Sequence, residues 1–228
     1  MRSLVGSLTL GLLLSVGALA NPVSLSFSNE PGASVTFTPG STVTFEFAQP
    51  DPTGYDFVIT GGTGFPDPVL PLKGFIDGTF SFLASDITTS GGVQNAPVTS
   101  VGGLLRIDDG TGQFFTAVLD IVSISTFQTG TVLNGSAVVN LSNFSYAGTD
   151  ANLLYLTNFP AGILTASLTF LPSQTLTTIA NATDPLSTLS YSGTLSAVPE
   201  PTFYGLLSAG VAGLIFFARR RKVEAANN

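Results

Sequence analysis

The chain has 228 residues, a net charge of −7, 18 phenylalanines and 25 glycines, and contains no histidine, cysteine or tryptophan. Without His or Cys it cannot build Ser-His-Asp or Cys-His catalysis, the common zinc sites, iron–sulfur clusters, His- or Cys-ligated haem, or disulfides. Between Asn21 and Ala197 only Lys73 and Arg106 are basic, against twelve acidic residues. That balance repels phosphate backbones and excludes nucleic acid as a partner.

The chain opens with Met1-Arg2, an apolar stretch from Leu4 to Val16, and Ala18-Leu19-Ala20. One positive charge, a short apolar run and a small-x-small site form the pattern of a secretory signal peptide, with Ala18 and Ala20 as the cleavage determinants and residues 1–20 as the leader. The expected mature domain, residues 21–197, is long enough for one core. Lacking disulfides, it must rely on that core and on sheet hydrogen bonds.

Alternation of period two then recurs along the chain, the signature of half-buried strands. Val23, Leu25 and Phe27 share a face, as do Val35 and Phe37; Val43, Phe45 and Phe47; and Tyr55, Phe57 and Ile59. The pattern resumes at Phe80 and Phe82, at Leu105 and Ile107, and at Phe115, Ala117, Leu119 and Ile121. It continues at Ala137, Val139 and Leu141; Leu153 and Tyr155; Ala166, Leu168 and Phe170; and Leu189, Tyr191 and Leu195. Ser and Thr fill most of the alternate positions, which suits the outer face of a sheet.

Turn residues separate these runs: Asn29-Glu30-Pro31-Gly32, Pro39-Gly40, Gly61-Gly62-Thr63-Gly64, Asp77-Gly78, Gly91-Gly92, Asp108-Asp109-Gly110, Asn134-Gly135 and Ser192-Gly193. Asp-Gly and Asn-Gly favour tight hairpins because both central positions need positive φ. The expected fold is all-β, an antiparallel β-sandwich of jelly-roll or immunoglobulin-like type with roughly eight to twelve strands, a barrel being the alternative closure. It is flanked by the signal-peptide helix and by a C-terminal transmembrane helix. Asp150 to Asn158 reads as a helix capped by Asp150 but ended quickly by Pro160, and equally as a short surface turn or as one more strand.

Asp108 and Asp109 are the residues best suited to a metal, since calcium takes carboxylates and turn carbonyls. They lack the alternating acids and distal Glu of an EF-hand, and a hairpin turn needs the same residue types, so no metal and no cofactor is expected. Gly61-Gly62-Thr63-Gly64 lacks the Lys and helix of a phosphate loop. The acids single out no pair for glycoside hydrolysis, so no catalytic residue is assigned and the protein is read as a non-enzyme. Carbohydrate binding would call for an exposed group of tyrosines among Tyr55, Tyr146, Tyr155 and Tyr191. Asn134, Asn140, Asn143 and Asn181 each begin an Asn-x-Ser/Thr triplet, which a chain this rich in Ser and Thr produces by chance.

The end of the chain is the most specific segment. Pro199-Glu200-Pro201 precedes an uncharged run from Thr202 to Ala218 and then Arg219, Arg220, Arg221 and Lys222, four of the seven basic residues. Proline holds the approach extended, and seventeen residues of helix reach roughly 25 Å, the lower end for a membrane span. A basic cluster stays on the cytoplasmic side, so the domain faces outward and residues 223–228 inward.

This order resembles the PEP-CTERM sorting signal of exported bacterial proteins, over residues 198–222 alone. The resemblance implies that Pro199, Glu200 and Pro201 are the motif read by a membrane processing enzyme, an exosortase. It further implies that residues 202–218 cross the membrane, that Arg219 to Lys222 form the stop, and that the domain goes to the cell surface or the extracellular matrix. A plain uncut anchor ranks below this reading, and a GPI-type signal, whose tail lacks a basic stop, below that. The expected role is structural or adhesive in an exopolysaccharide setting. The alternative is a carbohydrate-binding or carbohydrate-cleaving sandwich delivered by the same signal.

Overall fold

The computed structural model describes residues 22–48, 54–69, 71–129 and 132–197. The expected leader, Pro199 to Pro201, the expected helix at 202–218, Arg219 to Lys222 and residues 223–228 lie outside the described residues, within which no helix is long and apolar enough to cross a membrane.

The protein is all-β. Among the described residues the thirteen strands are β1 (Val23–Asn29), β2 (Ser34–Thr38), β3 (Thr42–Ala48), β4 (Phe57–Thr63), β5 (Lys73–Leu83), β6 (Thr88–Ser90), β7 (Val93–Pro97), β8 (Thr99–Asp108), β9 (Phe114–Thr129), β10 (Val132–Ser145), β11 (Ala161–Phe170), β12 (Leu186–Ser187) and β13 (Ser190–Ala197). Among the described residues two short α-helices are α1 (Ala151–Leu156) and α2 (Leu176–Ala180), and Ala84–Asp86 forms one 3-10 turn.

The expected sandwich is corrected by one strand. β8 pairs with β5 on one side and with β9 on the other, so β5, β4, β1, β13, β11, β10, β9 and β8 close into an eight-stranded antiparallel ring. Closure pairs every strand of the ring on both sides and removes the edges a sandwich would leave. Leu25, Phe27, Phe57, Ile59, Leu105, Ile107, Leu164 and Leu195 face the interior and fill it, leaving a void of only about 10 Å³. Outward positions such as Ser24, Ser26, Thr165, Ser167, Thr194 and Ser196 are hydroxylic. This apolar-in, polar-out order is the reverse of a membrane-spanning barrel and suits a barrel wall bathed in water.

Strand direction sorts the loops to two ends. At one end lie the start of β1, the finish of β13, the β4–β5 and β8–β9 loops, and the β10–β11 connection with α1. At the other end the sheet branches: β5 passes from β4 to β3, extending into β2 and β12, while β9 passes from β8 to β7 and β6. Helix α2 packs between these branches with Leu176 and Ile179 fully buried. Its cap, Thr175, accepts from the Thr178 backbone N–H.

Several expected turns prove to be strand interior. Gly78 sits in β5 at a bulge with φ +121°, Asn134-Gly135 lies inside β10, and Gly193 lies inside β13. At Gly193 the constraint is proximity: an added Cβ would collide with the Thr165 carbonyl and the Phe27 ring. The remaining reading of glycine was right at Gly32, Gly91, Gly92 and Gly110, all at positive φ in turns. Two apolar assignments also shift. Leu189 is 62% exposed, because it precedes β13, and Tyr55 precedes β4 and packs outside the barrel on Phe75. The 150–158 ambiguity resolves as helix: the Asp150 carboxylate accepts from the N–H groups of Asn152 and Leu153, and Leu153 and Leu156 turn inward.

Candidate functional site

At the barrel end where β1 begins and β13 finishes, the two strands meet at one corner. Val23 and Ala197, both fully buried, face each other in the β1–β13 ladder, and Ala197 is opposite Gly162 of β11 on its other side. Ser196 is likewise held between Ser24 and Ile163. Two glycines allow this closeness. A Cβ on Gly162 would stand 2.9 Å from the Ser196 carbonyl oxygen, and one on Gly64, at φ +80°, would stand 2.6 Å from that of Pro22.

At the same end of the barrel, on the far side of the ring, the β8–β9 hairpin gathers Asp108 and Asp109. Tyr55 donates its hydroxyl to Asp108 at 2.5 Å, and Gly110 donates its N–H to the same carboxylate at 2.8 Å. Asp109 accepts from the Tyr146 hydroxyl at 2.6 Å, from the Thr111 N–H and hydroxyl at 2.7 Å each, and from the Gln113 N–H at 3.2 Å. The Tyr146 bond, with the Thr111 and Gln113 donors behind it, holds the Asp109 carboxyl down at about 2. Burial and the same bond push the Tyr146 phenol up, and the bond to Asp108 chiefly does so for Tyr55. Asp109 is therefore a lasting anion and a poor proton donor, and a cation would have to displace these N–H and O–H groups to reach it. Among the described residues no three Asp or Glu side chains gather as a metal site.

The four tyrosines do not form an exposed group. Tyr191 is buried and donates to the Asp56 carbonyl at 2.6 Å, its phenol raised by burial. Tyr155 packs between Phe65 and Phe159, and Tyr55 and Tyr146 are tied to the two hairpin aspartates. An aromatic row that sequence spacing does not reveal runs over the outside of the barrel: Tyr55 to Phe75 at 4.8 Å, then Phe75 to Phe114 at 6.1 Å. Lys73 lies over Tyr55 and pairs with Glu30 at 3.3 Å, while Arg106, opposite Phe75, pairs with Asp77 at 2.6 Å. Both cations of the domain are thus neutralised.

Sequence reasoning also passed over Asp56. It is 1% exposed and sits where the edge of β5 passes from β4 to β3. With no strand there, the Ile76 N–H donates to the Asp56 carboxylate at 2.7 Å, while the other carboxylate oxygen has no partner among the described residues. Burial is the main reason its carboxyl rises to about 6, the Ile76 bond opposing and the Asp77 charge adding. Its only sequence signal was an acid next to the first inward residue of a strand. Helix α2 was missed too, although Thr175 followed by Leu176, Ile179 and Ala180 has a cap and helical spacing. It borders a shallow open concavity of about 520 Å³ lined by Gln174, Thr177, Asn181, Thr183, Asp184 and Leu186.

Comparison with known proteins identifies one segment. Residues 197–222 match the family described as the PEP-CTERM protein-sorting motif. No curated protein and no solved structure gives a significant match to the chain. The chain therefore carries the sorting motif that its Pro-Glu-Pro, apolar run and basic cluster resembled, and the motif marks an exported protein handled by a membrane exosortase.

Proposed function

We propose that this protein is a non-enzymatic component of the bacterial cell surface or extracellular matrix, with a structural or adhesive part to play. A leader (1–20) carries it out, the domain 21–197 folds outside, and the signal at 198–222 directs processing. In this reading residues 202–218 cross the membrane, Arg219 to Lys222 stop transfer, and Pro199, Glu200 and Pro201 are what the exosortase reads. The observation that carries it is the sorting motif joined to a water-facing barrel whose interior is filled by side chains. A filled interior favours work done by the outer surface over carriage of a small ligand inside.

Replacing Pro199, Glu200 and Pro201 together by alanine is expected to leave export intact and to hold the domain in the membrane fraction at unprocessed mass. Unchanged mass and fractionation relative to the parent chain would favour a plain anchor.

Binding of extracellular polysaccharide is a second reading, favoured by the outer row of Tyr55, Phe75 and Phe114, since aromatic faces accept sugar rings. A polysaccharide pull-down with the exported domain, repeated with Phe75→Ala, separates it from a purely structural role.

A further inference from the structure

Residue 197 belongs to two objects at once. It is the last residue of β13 and the first of the matched sorting motif. Ala197 has no exposed surface and is paired on both sides, and only Val198 lies between it and Pro199. One extended residue advances the chain by only about 3.5 Å. An enzyme that grips Pro199-Glu200-Pro201 has to enclose backbone on both sides of the bond it cuts. Reach beyond Val198 on the upstream side meets Ala197 and Ser196, which are paired in the barrel wall.

We propose that the folded barrel regulates processing of its own tail: the finish of β13 must come away from β1 and β11 before the motif can be handled. This rests on the reading of Pro199 to Pro201 as the exosortase motif. Strand ends open locally more readily than whole domains, so the corner can part while the rest of the barrel stays folded. The corner is nonetheless a tight one. Ser196 and Ala197 lie between two ladders, with Gly162 and Gly64 permitting backbone contacts that a Cβ would break. Ordinary strand ends fray at an edge, whereas this one sits inside a closed ring.

The test is a pulse-chase on the full chain in cells that possess the exosortase, reading the mass shift and the release from membranes. An eight-residue Gly/Ser insertion between Val198 and Pro199 leaves barrel and motif intact and gives the enzyme slack. It is expected to speed release by roughly tenfold, the factor that corresponds to about 1.4 kcal/mol of local opening. Gly162→Val, which crowds the Ser196 carbonyl, is expected to speed release without any change of spacing. Thr175→Ala, which weakens the opposite end of the barrel, should leave the rate as it was. An insertion variant processed at the parental rate, or more slowly, overturns the gate. Alanine at Pro199, Glu200 and Pro201 in the insertion variant must abolish its release; if it does not, or if the parent chain is never shortened, the sorting reading itself falls and the gate with it.

Discussion

The two ends of the barrel are built on the same ladders but finish in different ways. At the end with Val23 and Ala197 the ring strands stop without branching, and α1 and a hairpin whose aspartates are bound to tyrosines lie among their connections. At the other end β5 and β9 run on beyond the ring, recruit β2, β3, β6 and β7, and cover a cluster of phenylalanines with α2. The difference teaches that a closed ring needs no extra strands to satisfy its backbone, whereas strands that outgrow the ring do. Wherever β5 and β9 project past their neighbours, new edges and apolar faces appear, and further elements cover them.

That contrast is tested most severely at Phe37. Its ring stacks on Phe45 at 5.0 Å and meets Phe170 at 5.6 Å, with no exposure to solvent. Phe37→Ala is expected to lower unfolding stability by about 3–5 kcal/mol in a denaturant titration. A loss below about 1 kcal/mol would mean that the branched end does not share one core with the ring.

The seam between the two regions is tested by pH through Asp56. Its folded carboxyl, at about 6, lies above the ordinary value of 3.8. The unfolded chain therefore releases this proton first as pH rises. The contribution of Asp56 is fully present below about pH 4 and is lost progressively as pH climbs through 6, in total by roughly 2–3 kcal/mol. Asp56→Asn keeps an acceptor for the Ile76 N–H and is expected to flatten that part of the stability profile. A wild-type profile without the decline between pH 4 and 7 would show that the seam is open to water.

The smallest effects compare the two helices that close the ends. Asp150→Ala and Thr175→Ala each remove an N-cap and are expected to cost about 1 kcal/mol by thermal melting. Markedly unequal losses would sharpen the comparison by showing which closure the barrel depends on more.

Much of the wall was legible from alternation alone. Val23, Leu25 and Phe27, or Phe115 to Ile121, face inward as their spacing predicts, because the side-chain period of a strand is a local property. Glycine was harder to read. Gly110 serves a turn and Gly193 serves a close approach, and the residues beside them do not distinguish the two uses. Asp56 was illegible for a related reason. Its partner, the Ile76 N–H, is left free by the parting of β3 and β4, which no local pattern records. The Asp108–Asp109 loop was read correctly as a hairpin, but its ties to Tyr55 and Tyr146 span 53 and 37 residues of chain.

By itself the sequence determined the all-β class, most inward faces, and the sorting motif at the end of the chain, because each is written in neighbouring residues. Only the tertiary structure decided that the sheet closes into a ring, that the first and last strands lie side by side, and that a buried carboxylate stands at the seam. Those features depend on pairings between residues as distant as Val23 and Ala197. The free energy that selects such pairings comes from closing the whole ring around one core, and no single segment of the chain contains it.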